Sequence, residues 1–220
     1  MRVQLVRHAT LLLDTSVGRI LVDPILRAKG TTPPIEPTPH QQPNPLVDLP
    51  MTIEEVLDGV DLCIVTHLHS DHFDDLIPLD LPILTQPESA EELRGRGHTR
   101  VSTEHESIAM TRGRHGTGAI GDALGPVSGW VVDGLYLAGD TILCDEVHEA
   151  LDRHRPHTIV VNGSGARFNE GDPIVMTAAE ARTLPLPTVV VHLEAINHCI
   201  EPRSAYDGLI VPLDGEVLDL

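Results

Sequence analysis

Four side chains of the kinds that bind metals lie within six residues of this 220-residue chain. They are His67, His69, Asp71 and His72. The apolar segment 61–66 before them is predicted to be a β-strand that leads directly into this polar run. A rigid scaffold commonly presents a site on a loop of this kind. The stretch therefore requires a core strand with a functional loop at its end.

The spacing within this run indicates two neighbouring metal ions. His67 and His69 are two residues apart, so an extended backbone points both imidazoles the same way. Asp71 and His72 are adjacent and would serve a second ion. Imidazole and carboxylate ligands suit zinc, with manganese or iron as alternatives. A surface loop that is merely rich in histidine fits poorly, because such tracts are seldom strictly alternating or preceded by a buried strand.

Composition restricts the class of protein. The chain is 41% hydrophobic but only 2% aromatic, so aliphatic side chains must fill the core of a single domain spanning 1–220. No apolar run approaches the ~20 residues that cross a bilayer. The N-terminus lacks the features of a signal peptide, so we expect a cytoplasmic protein without a membrane partner. The three cysteines form no CxxC pair, which disfavours a cysteine zinc site.

The net charge of −18 restricts the partners. Such a surface repels nucleic acid, so we expect a small-molecule substrate instead. The segment 162–168 contains small residues and Arg167 after an apolar strand. It could hold an anionic substrate group through backbone N–H groups, or it could be a tight turn. The sequence leaves an anionic substrate and a homo-oligomer open.

Strands and helices are predicted along the whole chain from periodicity and capping signals. Strands are predicted at 2–7, 10–14, 19–22, 61–66, 81–85, within 100–111, in a hairpin at 129–138, and at 158–161 and 188–191. Helices are predicted at 52–58, 89–93, 145–153 and 177–184, with a short one after 202. The segment 27–50 holds seven prolines and is predicted to be a loop or flap near the pocket mouth.

The motif at 67–72 resembles the His-x-His-x-Asp-His signature of the metallo-β-lactamase superfamily. The chain looks most like the branch of ascorbate-6-phosphate lactonase-like enzymes. The segments that carry this resemblance are Arg7-His8-Ala9-Thr10, Leu21-Val22-Asp23-Pro24, His72-Phe73-Asp74 and Gly139-Asp140-Thr141. It implies an α+β fold, the αββα four-layer sandwich, with metals at one edge of the two sheets.

The resemblance also implies further ligands, all at predicted strand ends. His115 would complete the first site with His67 and His69, although His98 and His105 are rivals. Asp140 would bridge both ions, unless it only caps the helix that follows. His192 would complete the second site with Asp71 and His72, and His198 is the alternative. Asp23 would orient a ligand imidazole, or else be a turn carboxylate.

These residues predict a binuclear metal-dependent hydrolase. A hydroxide bridging the ions would attack a small ester, lactone or phosphodiester. Asp71 would orient the hydroxide, and His198 or His8 would assist the leaving group. The alternatives are a non-enzymatic protein that binds metal or ligand on the same fold, and a diiron oxidoreductase.

Overall fold

The computed structural model describes residues 1–220 and contains twelve strands, five α-helices and one 3-10 helix. In chain order they are β1 (Arg2–Arg7), β2 (Thr10–Thr15), β3 (Gly18–Val22), α1 (Ile53–Leu57), β4 (Leu62–Val65), β5 (Ile83–Thr85), α2 (Pro87–Gly95), β6 (Val101–Ser102), β7 (Ala109–Gly113), α3 (Gly118–Leu124), β8 (Val127–Val132), β9 (Leu135–Leu137), α4 (Asp145–His154), β10 (Thr158–Asn162), α5 (Ala178–Ala181), β11 (Thr188–Val191), the 3-10 helix (Arg203–Tyr206) and β12 (Val217–Asp219).

The strands form two sheets of mixed direction. The seven-stranded sheet has the order β12-β1-β2-β3-β4-β5-β6, and the five-stranded sheet has the order β11-β10-β9-β8-β7. Strands β3 to β6 are parallel, and so are β9 to β11. The carboxyl ends of parallel strands lie at the same edge of a sheet. Each sheet therefore gathers the residues that follow several strands along one edge.

Alternation along the strands divides the core into layers. Leu11 and Leu13 pack in the cluster between the two sheets, whereas Leu12 packs outward with Val56 of α1 and Leu93 of α2. On the far side, α4 and α5 pack against the outer face of the five-stranded sheet. The order helix, sheet, sheet, helix confirms the predicted αββα sandwich.

Most predicted elements are present, and two further elements occur that the sequence did not predict. Helix α3 was not predicted, because it contains Gly118 and Gly121 and buries no side chain, so it shows no apolar periodicity. Strand β12 was not predicted either, because its side chains are mostly exposed and its pairing with β1 is made across the length of the chain. Helix α5 ends at Ala181 rather than 184.

The proline-rich segment is a loop, as predicted. It forms no helix or ladder strand, and its only pairing is an isolated bridge between Thr32 and Asn44. Its path brings Ile35 against the cavity beside the candidate site.

None of the helices is long and apolar enough to span a bilayer.

The layered core makes a testable prediction about stability. Leu13 is fully buried between the sheets, so Leu13→Ala should lower the free energy of unfolding by about 2–5 kcal/mol. Leu213→Ala is the matched control, because that side chain is 63% exposed and its loss should change stability by less than about 0.5 kcal/mol. Urea denaturation followed by circular dichroism measures both. Equal losses would contradict this assignment of the core.

Candidate metal centre

The predicted site residues converge where the two sheets meet at one edge. Asp23 follows β3, the motif His67–His72 follows β4, Asp140 follows β9 and His192 follows β11. His8 lies in the tight connection between β1 and β2. All of these side chains are buried except His69, which is partly exposed. The long-range contacts between strands therefore assemble a single dense cluster.

The first group comprises His67, His69 and His115, whose ligand-forming atoms lie within 4.8 Å of one another. His67 Nε2 and His69 Nδ1 are 3.0 Å apart. His115 Nε2 is 3.4 Å from Asp140 Oδ2. Atoms bound to one tetrahedral zinc ion at 2.0–2.2 Å lie roughly 3.3–3.6 Å from each other. The 3.4 Å separation lies in this range and the 3.0 Å separation is slightly shorter, so the three imidazoles are close enough to share one ion.

Hydrogen bonds fix which nitrogen of each imidazole faces the cluster. Thr66 Oγ1 donates to Asp23 (2.7 Å), so it accepts from Nδ1–H of His67 at 3.0 Å. His115 Nδ1 donates to the carbonyl of Ile174, at 2.8 Å. In both rings the opposite nitrogen, Nε2, then carries the lone pair that a metal requires.

His69 and His72 are oriented in the same manner. His69 Nε2 donates to the carbonyl of Leu124 at 3.2 Å, which leaves Nδ1 facing His67. His72 Nδ1 donates to Asp23 Oδ2 at 2.8 Å, which leaves Nε2 facing Asp140. The predicted role of Asp23 in orienting a ligand imidazole is therefore matched by a direct contact.

The second group comprises Asp71, His72 and His192. His192 Nε2 lies 3.5 Å from Asp71 Oδ2 and 3.6 Å from Asp140 Oδ1. His72 Nε2 lies 3.9 Å from Asp71 Oδ2. Ser164 Oγ is 3.4 Å from the far nitrogen of the His192 ring. The three side chains surround a space next to the first group.

Asp140 lies between the two groups. Its Oδ2 is 3.2 Å from His72 Nε2 and 3.4 Å from His115 Nε2, and its Oδ1 accepts a hydrogen bond from Asn162 at 2.7 Å. The residue that caps α4 is Cys144, so the alternative role of Asp140 as a helix cap does not apply. This position suits a carboxylate shared by two ions.

Two further histidines approach Asp71 from the side of the second group. His8 Nε2 and His198 Nε2 lie 3.4 Å and 3.3 Å from Asp71 Oδ2. His192 contacts both carboxylates, whereas His198 contacts only Asp71 and also lines the adjacent cavity. The geometry favours His192 as the ligand and leaves His198 facing the substrate space.

The rival histidines lie elsewhere. The ring of His98 packs 5.6 Å from the ring of Phe73, between the motif loop and α2. His105 forms an isolated bridge with Ile108. Neither joins the imidazoles of the cluster.

Burial and mutual charge perturb the groups strongly. Burial lowers the pKa of His115 to about 4, so this imidazole is neutral near pH 7. Burial would raise the pKa of Asp140, but His192 and His72 hold it well below its usual range. The pKa of Asp71 is likewise held low against burial by His72 and His198. Both carboxylates are therefore ionised and able to bind cations.

The site also contains buried polar atoms without hydrogen-bond partners. Nε2 of His72, His192 and His198 are all in this state. An unpaired buried polar atom costs about 1–3 kcal/mol, and native proteins avoid such atoms or give them a role. Two of these nitrogens, on His72 and His192, lie beside two ionised carboxylates and form with them a donor set that fits divalent metal ions.

Sequence reasoning did not single out the residues that support these ligands from behind. Asn162 ends β10 in the same way that His192 ends β11, so position at a strand end could have revealed it. Ser164 offered no signal. Left-handed backbone at His8, Asp23 and His192, with φ of 60°, 43° and 64°, turns each side chain at the end of its strand. Asp and His tolerate this conformation better than most residues, although it remains strained.

The contacts of Asp23 predict an effect on metal affinity. Asp23 accepts on both oxygens: Oδ1 takes the Thr66 N–H, and Oδ2 takes the Thr66 hydroxyl and the His72 Nδ1–H. Asn has only one acceptor oxygen, so its NH2 group would face one of these donors, and Asp23→Asn should weaken metal binding about 10–100-fold. Competition with a chromogenic chelator measures the affinity. Asp152→Asn, on the exposed side of α4, is the control. Unchanged affinity in a folded Asp23→Asn protein would contradict the role of Asp23.

Comparison with known proteins agrees with this geometry. The family described as Beta-lactamase superfamily domain matches residues 18–185. The UPF0173 protein YddR of Bacillus subtilis is 32% identical over 98% of both chains. The UPF0173 metal-dependent hydrolase MJ1163 of Methanocaldococcus jannaschii is 27% identical over 81% of this chain and 90% of its own.

Two solved structures share the whole fold. One is described as a possible metal-dependent hydrolase from Veillonella parvula, with a TM-score of 0.92, 30% identity, and coverage of 100% of this chain and 99% of the other. The second is an isothiocyanate hydrolase from Delia radicum gut bacteria, with a TM-score of 0.90, 28% identity and the same coverage. The expectation of a metallo-β-lactamase fold and of an enzyme among metal-dependent hydrolases is confirmed, whereas none of these proteins is named a lactonase. The chain belongs to the beta-lactamase superfamily, within the group of UPF0173 metal-dependent hydrolases.

Proposed function

We propose that the protein hydrolyses a small electrophilic substrate with two divalent metal ions. His67, His69 and His115 would hold the first ion, and Asp71, His72 and His192 the second. Asp140 would contact both. The carrying observation is the convergence of the Nε2 atoms of His72, His115 and His192 on one buried carboxylate, Asp140, from both groups.

Metals bound there would supply a hydroxide near neutral pH, by lowering the pKa of a shared water, and would stabilise negative charge on the substrate. Side chains of the protein would orient the attacking water and supply a proton to the leaving group. Asp71 lies between the second group and the histidines His8 and His198, so it is placed to accept a hydrogen bond from the attacking water. His198 borders the cavity and would donate a proton to the leaving group.

Zinc suits this donor set best, because both groups offer imidazole and carboxylate without thiolate, while manganese and iron share that preference in part. Cys199 is the one thiol nearby, and its Sγ is 4.0 Å from His192 Nδ1, the nitrogen that faces away from Asp71. Cys199 also lies close enough to His192 and His198 for the three side chains to form a further group that could hold a metal.

The reaction class follows from a water nucleophile. For an ester or lactone, the water oxygen would bond to the acyl carbon, the acyl C–O bond would break, and the alkoxide would leave with a proton. The isothiocyanate hydrolase among the similar structures acts on another small electrophile with a reactive carbon. We therefore propose esters, lactones and isothiocyanates as substrates to screen, with phosphodiesters as the charged comparison.

Removal of the shared carboxylate tests the proposal. Asp140→Ala should lower metal content from about two ions per chain and reduce kcat/KM more than 100-fold, beyond the effect of losing an orienting residue. Elemental analysis of protein purified without added metal, and turnover after chelation and reconstitution, measure the two effects. Asp145→Ala, on the exposed first turn of α4, is the control.

Three outcomes would contradict the proposal in different ways. No metal after reconstitution would overturn the metal site. Two ions without turnover of any screened compound would favour a protein that only binds metal. An iron absorption band with redox activity would favour the oxidoreductase.

The charge state of His192 predicts how metal binding depends on pH. Burial would lower the pKa of His192, but Asp140 and Asp71 raise it to about 10 in the metal-free chain. This imidazole is therefore protonated at pH 7 and must lose its proton to bind a metal. Burial would also lower the pKa of His72, but Asp140 and Asp23 raise it well above its usual range, so both imidazoles must lose a proton. Metal affinity should rise as the pH increases from 7 towards 10, and binding should release protons from both.

Calorimetry in two buffers of different ionisation enthalpy counts the released protons. His148→Ala, on the exposed face of α4, should leave that number unchanged. A metal affinity that stays constant between pH 7 and 9 would show that metal binding removes no proton from His192, and would contradict its role as a ligand.

A further inference from the structure

A small cavity lies directly beside the metal centre. Its volume is about 160 Å³, and it is lined by polar residues of the centre, Ser70 and four apolar side chains. The apolar residues are Ile35, Leu124, Phe168 and Ile174. No lysine or arginine lines it. The wall opposite the polar cluster is thus uncharged and largely aliphatic.

The volume limits the size of the substrate. A cavity of about 150 Å³ lined by Leu, Ile and Phe holds one benzene molecule. By that scale, the cavity accepts an apolar substituent of about six non-hydrogen atoms before it is full. Each buried methylene group contributes roughly fourfold in binding, so a well-filled cavity would discriminate between chain lengths.

The loop that the sequence offered as an anion cradle does not serve as one. The N–H groups of Gly163 and Ser164 already donate to the Val191 carbonyl and the Tyr206 hydroxyl. The N–H of Arg167 donates to the His198 carbonyl, and its side chain is exposed. These donors are used inside the fold, so the loop is a structural turn at these positions. A net charge of −18 further disfavours an anion at the cavity.

Two of the apolar wall residues are tied to the metal centre through their backbone. The carbonyl of Leu124 accepts from His69, and that of Ile174 accepts from His115. The wall and the ligands therefore share the same rigid supports. Ile35, in contrast to Leu124 and Ile174, lies on the proline-rich segment.

A buried amide holds Ile35 in place. Asn197 is fully buried, and its Oδ1 accepts from the Ile35 N–H at 2.9 Å while its Nδ2 donates to the Ile35 carbonyl at 2.9 Å. The Thr38 hydroxyl accepts from Asn197 Nδ2 at 2.6 Å. Its single proton is shared between the carbonyls of Ile35, at 2.8 Å, and His40, at 2.9 Å. Asn44 Nδ2 also donates to Asn197 Oδ1, at 2.7 Å. The middle of the segment is thus fastened to the residue that precedes His198.

Both ends of the segment are fastened as well. The buried Arg7 guanidinium donates to the carbonyls of Ile25 and Val47. The Asp74 carboxylate, just after the metal motif, accepts from the N–H groups of Leu26 and Arg27. The segment is accordingly a fixed wall rather than a flap.

We propose that the cavity selects small uncharged substrates with an apolar substituent on the electrophilic carbon. Ile35 determines this specificity. Asn197 and Thr38 are its positioning residues. This inference rests on the proposed hydrolase function. It places uncharged esters, lactones and isothiocyanates inside the substrate class and phosphodiesters outside it.

A matched pair of esters tests the charge preference. Methyl 4-methylpentanoate and monomethyl succinate have nearly the same shape, but only the second carries a carboxylate. Ligand-observed NMR with metal-free protein measures binding without turnover and without attraction to a metal. The uncharged ester should bind at least about tenfold more tightly. Equal or tighter binding of the anion would overturn the inference.

Substitutions test the role of Ile35. The test uses metal-loaded protein and a series of methyl esters or alkyl isothiocyanates of increasing chain length. Ile35→Ala should lower kcat/KM about tenfold for the substrate whose apolar substituent has six non-hydrogen atoms. It should also move the chain length with the highest kcat/KM to one or two methylene groups longer. Leu213→Ala, on the exposed surface, is the control. An unchanged chain-length optimum would overturn the assignment.

Thr38→Val tests positioning without a change of shape. It removes the hydroxyl that donates to the Ile35 carbonyl, so KM should rise several-fold and chain-length selectivity should flatten while kcat is retained. Thr31→Val, in the same segment but exposed, should have no effect. A fall in kcat with unchanged selectivity would show a merely structural role.

The two proposals fail in different ways. If metal-loaded protein hydrolyses none of these compounds, the proposed function fails. The binding comparison on metal-free wild type and Ile35→Ala still decides whether the cavity is selective, because that measurement requires neither metal nor turnover.

Discussion

The structure depends on the cost of burying charge at one edge of two sheets. Asp23, Asp71 and Asp140 are each nearly inaccessible to water, and a buried carboxylate is stable only when paired and hydrogen-bonded. Here the partners are imidazoles delivered by strands of both sheets. Parallel strands make this possible because their carboxyl ends lie at the same edge. The αββα arrangement thus positions the site, because the same strand ends that build the fold also carry the buried carboxylates and imidazoles.

The surrounding hydrogen bonds convert a cluster of histidines into an ordered set of ligands. Asp23, the Thr66 hydroxyl and the carbonyls of Leu124 and Ile174 each fix one ring nitrogen, so the other faces inward. The same two carbonyls belong to residues whose side chains form the apolar cavity wall. Two of the residues that orient these imidazoles therefore also form part of the apolar wall of the cavity.

The sequence predicted much of this because the informative residues follow strong local patterns. His67–His72 follow an apolar strand, and Asp140 and His192 each end one as well. Helix α3 and strand β12 escaped prediction for physical reasons: the first buries no side chain, and the second exists only through pairing with β1. Asn162 and Ser164 escaped because amides and hydroxyls occur at many turns and acquire meaning only beside a ligand.

By itself, the sequence determined most of the strands and the motif at 67–72, because periodicity and local motifs are properties of short segments. The layered fold and the further residues that gather at one edge followed from the family resemblance that these motifs carry. Tertiary structure alone shows that the His192 ring contacts both Asp71 and Asp140, whereas the His198 ring contacts only Asp71. It also brings Asn197 into hydrogen bonds with Ile35 and Asn44, which lie more than 150 positions away in the chain. Contacts of that separation leave no local signal in the sequence.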